Sequence, residues 1–249
     1  MEYRTRGIVL SSLDAGEADK IIILFSEDKG KILLRAQGVR KDKAKLKSHV
    51  QPIYFSDVQF VPTRSTNSAQ FRLIGAEALE VFDGIRKNLE AFYWARVTAG
   101  ALSSILVERE REHEVFSSLV SYLKVLNQRP DQSRYLTFMF LLKAVSFLGY
   151  DPSREECGVC GQQSKLEYLN GSCGLMCKKC SWQFKDAFYF PADLAKLKKH
   201  LEFEDLLYYP AADSSKMLEA TKGIFHFISW HCHSELPAFS VVSEFAKMA

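Results

Sequence analysis

Long apolar runs are missing from this 249-residue chain. No stretch approaches the roughly 18 consecutive apolar residues that a hydropathy-defined membrane helix needs. The opening Met1-Glu2-Tyr3-Arg4 leads straight into strand-like sequence without the apolar core of a secretory signal, so a cytoplasmic protein is expected. Signature motifs of common chemistry are missing too. There is no Walker phosphate loop, no Gly-x-Ser-x-Gly elbow and no His-Glu-x-x-His helix. A non-enzymatic protein is therefore expected. Asp14, Glu17 and Asp19 are the acids a metal-dependent nuclease would offer, but such loop clusters read as solvated turns. His49 reads as a surface residue rather than a general base. Internal repeats and low-complexity tails are also lacking.

Charge of one sign does not dominate, with 33 Lys and Arg against 30 Asp and Glu. Its distribution is uneven, however. Lys29 to Lys47 holds eight basic residues and a single acid, Asp42. A basic patch confined to one segment is an electrostatic footprint for a polyanion. A solvated lysine loop accounts for the charge equally well.

The first 80 residues read as short strands. Gly7 to Leu10 and Ile21 to Phe25 are β-branched or aromatic runs separated by the polar stretch Asp14 to Asp19. Asp28-Lys29-Gly30 signals a turn into Ile32 to Leu34. After Pro52, Tyr54, Val58 and Phe60 share a face at a period of two, and Phe71 to Ile74 follows. Five short strands with a basic loop between the third and fourth predict a small closed barrel. SH3-like barrels give a similar pattern. From about residue 83 the period becomes helical, through Leu89, Phe92 and Tyr93, then Leu102, Ile105 and Leu106. Val115 to Leu126 continues it, and a clearer helix runs from Tyr135 to Leu148 and stops at Gly149, with Pro152 beyond. Ala192 to Leu201 and Met217 to His231 read as two further helices.

Five of the six cysteines lie within 24 residues. Cys157-x-x-Cys160 is followed, after 16 intervening residues, by Cys177-x-x-Cys180. Two such knuckles place four thiolates around one tetrahedral centre, the spacing expected of zinc. A site closed by four protein ligands is structural, because no position is left for water or substrate. Gly158, Gly161 and Gly174 supply backbone freedom near the knuckles. Cys173 offers an alternative pair with Cys177, but breaks the symmetry of the knuckles and reads as a bystander. In His231-Cys232-His233, adjacent residues point apart on a helix, which argues against a second metal site.

These residues also carry a resemblance. Gly7-Ile8-Val9-Leu10, Glu17, Asp19-Lys20-Ile21 and Phe25 through Gly30-Lys31 are followed by Ala36-x-Gly38-x-Arg40, the lysines up to Leu46, and Gln51-Pro52. Phe147-Leu148-Gly149-Tyr150-x-Pro152 leads into Cys157-x-x-Cys160-Gly161, then Gly174-x-x-Cys177-x-x-Cys180, with a weaker match over Trp230 to Phe239. In this order and spacing the chain resembles the bacterial RecO family of DNA repair and recombination mediators along nearly its whole length. The resemblance implies an α+β multidomain protein. An OB-fold DNA-binding domain would occupy residues 1–80 and a helical domain 81–249, interrupted at 155–190 by a zinc-finger-like segment. It also implies binding of single- and double-stranded DNA, annealing of complementary strands, and partnership with RecR. Loading of RecA onto strands coated by single-strand binding protein, through that protein's acidic C-terminal tail, belongs to the same picture. Cys173 departs from the family, standing where members commonly have glycine. Some members lack the zinc cysteines altogether, so the metal is expected to support the fold rather than the activity.

On this reading Lys31, Arg35, Arg40, Lys41, Lys43, Lys45 and Lys47 engage phosphates without reading bases. Tyr54, Phe55 and Phe60 are candidate stacking residues, with at least half of the barrel aromatics facing the core. A protein-interaction scaffold with structural zinc and little direct DNA binding is the alternative.

Overall fold

The structure, a computed structural model, describes residues 1–63, 71–152, 155–163, 165–191 and 214–232. The helix expected over 192–201 and the residues from His233 onward lie outside these. The chain divides into two compact units, Met1–Asp83 with Leu102–Val120, and Gly84–Ala101 with Ser121–Ala249.

In the first unit, β1 (Tyr3–Ala15), β2 (Asp19–Ser26), β3 (Gly30–Ala36), β4 (Phe55–Pro62) and β5 (Phe71–Glu80) close into a barrel in the order β1-β2-β3-β5-β4. The pairing of β3 with β5 is parallel, and β4 closes the barrel on β1. This is the OB topology, and it excludes the SH3-like alternative. Closure leaves few free edges, so the backbone ladder satisfies itself. Val9, Ile22, Leu24, Ile32, Leu34, Val58 and Phe60 fill the interior. In β3 the burial alternates residue by residue, the period of a strand with one face inward. β1 is longer than its apolar run because its pairing shifts between Val9 and Ser11 and then continues to Ala15 against Asp19.

Three helices follow the barrel after a short first one, α1 (Asp83–Lys87): α2 (Leu89–Ile105), α3 (His113–Gln128) and α4 (Ser133–Phe147). In the second unit Asn127 Oδ1 accepts the Gly84 amide at 2.7 Å, closing an otherwise open helix start. Tyr122 is buried, stacks on Phe140 at 4.9 Å and shares hydrogen bonds with Thr137 and Thr98. Burial pushes its phenol up to about 12, against those hydroxyls. α4 is buried on nearly every face. It ends as expected at Gly149, whose φ is +86°. The Gly149 amide bonds Ser146 O and the Tyr150 amide bonds Val145 O, which is a Schellman stop.

A small three-stranded sheet carries the cysteines: β6 (Leu166–Asn170), β7 (Gly174–Cys177) and β8 (Phe188–Tyr189), in the order β7-β6-β8. The turn α5 (Lys178–Ser181) leaves β7, and α6 (Ser214–Cys232) packs on α4 and on β8. Among the described residues no helix is long and apolar enough to cross a membrane.

Candidate nucleic-acid interface and metal centre

The segment joining β3 to β4 is tied down at three apolar points. Val39 and Val50 are buried in the barrel core and Leu46 packs against it. Residues between such anchors must face outward, and Lys41, Lys43, Lys45 and Lys47 are all exposed. Among the described residues none of these four lysines has an ion pair within 4.0 Å. Lys47 and Arg40 line a cleft of about 260 Å³ with Lys20 and Asp14.

The other three predicted contacts are placed differently. Lys31 is half-buried, and its Nζ donates to Ser103 O at 2.8 Å. Burial pulls its pKa below the ordinary lysine value, with Glu108 opposing. Arg35 Nε donates to Asp19 Oδ2 at 2.9 Å. Arg40 donates to Gly16 O at 3.1 Å and lies 3.4 Å from Asp14. Three cations are thus held by the protein itself, and four face solvent unpaired.

Asp19 organises the loop's entrance. Its Oδ1 accepts the amide of Gly38 at 2.8 Å while Oδ2 takes Arg35. The Gly38 amide first, then Arg35 and Lys41, hold its carboxyl below the usual carboxylate range, against a cost of burial. Gly38 itself has φ +65°, a turn that favours glycine. Asp14 bridges Lys20 at 3.4 Å as well as Arg40. Both acids are counter-ions to nearby cations, Asp14 from an exposed position and Asp19 from a half-buried one. Their pairing is a cross-strand fact: nothing in sequence spacing links Asp19 to Arg35. His49 is also not a plain surface residue, since it is half-buried and its Nδ1 accepts the Ala78 amide at 3.3 Å. Of the aromatics, Phe60 is fully buried and stacked on Tyr3, and Phe55 sits beside Phe116 at 6.5 Å. Phe60 therefore has no face free for a base.

The sulfurs of Cys157, Cys160, Cys177 and Cys180 lie within 4.8 Å of one another, able to hold one metal ion. They form the one group of three or more His, Cys, Asp or Glu ligands found among the described residues. Each knuckle is a short backbone turn. Gly161 N–H returns to Cys157 O at 2.9 Å, and Gln183 N–H to Cys180 O at 3.1 Å. Cys177 ends β7, and its amide points at Cys157 Sγ, 3.5 Å away. Burial opposes ionisation of Cys157, yet the amides of Cys160, Cys177 and Val159 bring its thiol down to about 6. Burial, with the neighbouring sulfurs, pushes Cys180 up to about 12. Cys173 lies outside the cluster. Its carbonyl stands where a side chain on Gly158 would go, 1.9 Å from an added Cβ, so glycine is required there by close approach. His231 packs on Phe227 at 4.4 Å and on Tyr150 at 5.3 Å.

An OB barrel with an outward lysine loop, followed by a helical unit that carries a four-cysteine lobe, defines a two-part class of protein. Within that class, the chain belongs to the recombination protein O (RecO) family of DNA repair proteins. The family model described as recombination protein O N terminal matches residues 1–78, and the one described as recombination protein O C terminal matches residues 86–238. The DNA repair protein RecO of Caldanaerobacter subterraneus subsp. tengcongensis is 31% identical over 199 residues, 80% of this chain and 79% of its own length. That of Thermodesulfovibrio yellowstonii is 31% identical over 73% of this chain and 71% of its own. That of a Nocardioides strain is 29% identical over 97% and 99%.

Proposed function

We propose that this protein is a recombination mediator that binds single- and double-stranded DNA without reading sequence and anneals complementary strands. With RecR, it helps load RecA onto strands coated by single-strand binding protein, whose C-terminal tail it contacts. The observation that carries the reading is the row of four exposed, unpaired lysines, Lys41, Lys43, Lys45 and Lys47, on an OB barrel. Lysine is a compact point charge on a flexible stem, suited to neutralising phosphates but not to base readout. Arg35 and Arg40 add positive potential at the loop's entrance while their acids hold it in shape. Lys31, half-buried with its Nζ on Ser103 O, completes the proposed set of phosphate contacts. Residues 1–80 are thereby assigned as the DNA-binding domain, and residues 81–249, with the insertion at 155–190, as the helical domain. Annealing needs only that two strands be held with their mutual repulsion screened, so no covalent step is required.

The four cysteines are proposed to bind one zinc ion. Sulfurs about 2.3 Å from a tetrahedral zinc stand about 3.8 Å apart. Cys160 Sγ and Cys177 Sγ are 3.9 Å apart, which fits. Zinc bound there supplies a structural cross-link and leaves no open coordination position.

Reversing Lys41, Lys43, Lys45 and Lys47 to Glu tests the reading. Each phosphate contact contributes a slope of about −0.9 to the dependence of log affinity on log salt for duplex DNA. The variant is expected to lose at least about a hundredfold in affinity near physiological salt, with a slope shallower by about 3.6. Unchanged affinity would remove the loop as the DNA site and favour the scaffold alternative.

A further inference from the structure

The side chain of Trp182 is 81% exposed, whereas Trp94 is fully buried. A single exposed apolar residue needs no explanation by itself. The company of Trp182 sets it apart. Lys178 and Lys179 precede it by four and three residues in the turn of α5, the spacing that puts helical side chains side by side. Lys185 follows three residues later. All three lysines are exposed, and among the described residues none has an ion pair. No acid occurs between Lys178 and Lys185. The backbone under the indole is fixed, because Gln183 N–H bonds Cys180 O at 3.1 Å and Phe184 N–H bonds Ser181 O at 3.0 Å. Cys180 is one of the four clustered sulfurs. An exposed indole on a hydrogen-bonded turn, with three exposed lysines within four residues of it in the chain, matches the chemistry of an unpaired nucleotide, whose base stacks while its phosphates are neutralised.

We infer that the tetrathiolate lobe carries a second nucleic-acid contact, selective for single strands, in which Trp182 stacks on a base and Lys178, Lys179 and Lys185 receive the flanking phosphates. A duplex keeps its base faces stacked internally and has none to offer the indole. The contact uses residues wholly separate from the barrel loop, so each can be altered without touching the other. The inference rests on the reading of this protein as one that binds DNA.

Tryptophan emission of the full-length protein reads the contact directly. Trp94 is buried, and Trp230, which is half-exposed, is removed by Trp230→Phe. A short oligothymidine strand is expected to quench the emission of the Trp230→Phe protein, and the quench should vanish when Trp182→Phe is added. Trp182→Ala should lower single-strand affinity about tenfold and leave duplex affinity unchanged. In the protein with Lys41, Lys43, Lys45 and Lys47 reversed to Glu, the quench should persist at saturating strand. Its loss there would make the lobe dependent on the loop and overturn an independent second contact. A strand that binds, by anisotropy, without any quench overturns the inference while leaving the barrel reading intact. Quenching by an acidic peptide but not by the strand overturns it in favour of a protein partner. Failure of every variant and the wild type to bind strand or duplex sinks the DNA reading itself.

Discussion

The barrel and the cysteine lobe are both antiparallel-rich sheet structures, and they hold themselves together by different means. The barrel closes on itself with five strands and buries a continuous set of Val, Leu, Ile and Phe side chains. The lobe has strands of five, four and two residues. A sheet of that size buries little apolar surface by itself and leans on α6, with Leu169, Leu175, Met176 and Phe190 buried. Four sulfurs drawn from two turns and a strand end meet beside it, the proposed zinc site. One region is stable through its core; for the other, the proposed zinc ion would add a cross-link. The same contrast extends to the charged surfaces. The barrel's basic loop is positioned by Val39, Leu46, Val50 and the carboxylate of Asp19, whereas the lobe's lysines ride on the knuckle itself.

The largest effect should come from removing the proposed zinc cross-link. Cys177 is buried at the end of β7, and Cys177→Ser takes out one corner of the tetrathiolate. Residues 155–190 are expected to lose protection from proteolysis in that variant, and in wild type treated with a strong chelator, while the barrel's resistance is unchanged. A protected lobe in either sample would mean that it has a self-sufficient core, and the contrast would fail. Phe60→Ala attacks the other region. Phe60 is fully buried among Tyr3 and Phe71, so the substitution should cost about 3–5 kcal/mol of barrel stability by chemical denaturation. A loss well under 1 kcal/mol would show that the barrel does not depend on its core as proposed.

What the sequence disclosed follows the same division. The barrel's inner strands were legible because Val58 and Phe60, or Ile32 and Leu34, alternate with half-buried residues. The outer half of β1 was not. Ser11 to Ala15 pair fully with β2 but expose both faces, so no apolar period marks them. The four cysteines could be singled out from spacing alone, because two knuckles need only local geometry. The strands beside them were invisible, being too short to show a period. Contacts between distant residues were equally hidden. Neither the bond from Lys31 to Ser103, 72 residues apart, nor the hold of Asp19 on Arg35 leaves a trace in local pattern. Charge counting therefore grouped seven cations that the fold separates into tethered and free.

The smallest expected effect tests that separation. Asp19→Asn keeps an oxygen to accept the Gly38 amide and removes the charge that holds Arg35. The pair is partly solvated, with the Arg35 side chain 39% exposed, so the loss at neutral pH should be about 0.5–1 kcal/mol. The pH dependence makes the assignment specific. The folded-state carboxyl is held below its unfolded value near 3.8. Its contribution is therefore complete above that value and fades as pH falls through the lower folded value. Urea unfolding should show the gap between wild type and Asp19→Asn constant from neutrality down to about pH 5, then narrowing in stronger acid. A gap that widens on acidification has the wrong sign for a stabilised carboxylate. A gap of zero at neutral pH would mean that Val39, Leu46 and Val50 alone position the lysines, and that the acids at the loop entrance are bystanders after all.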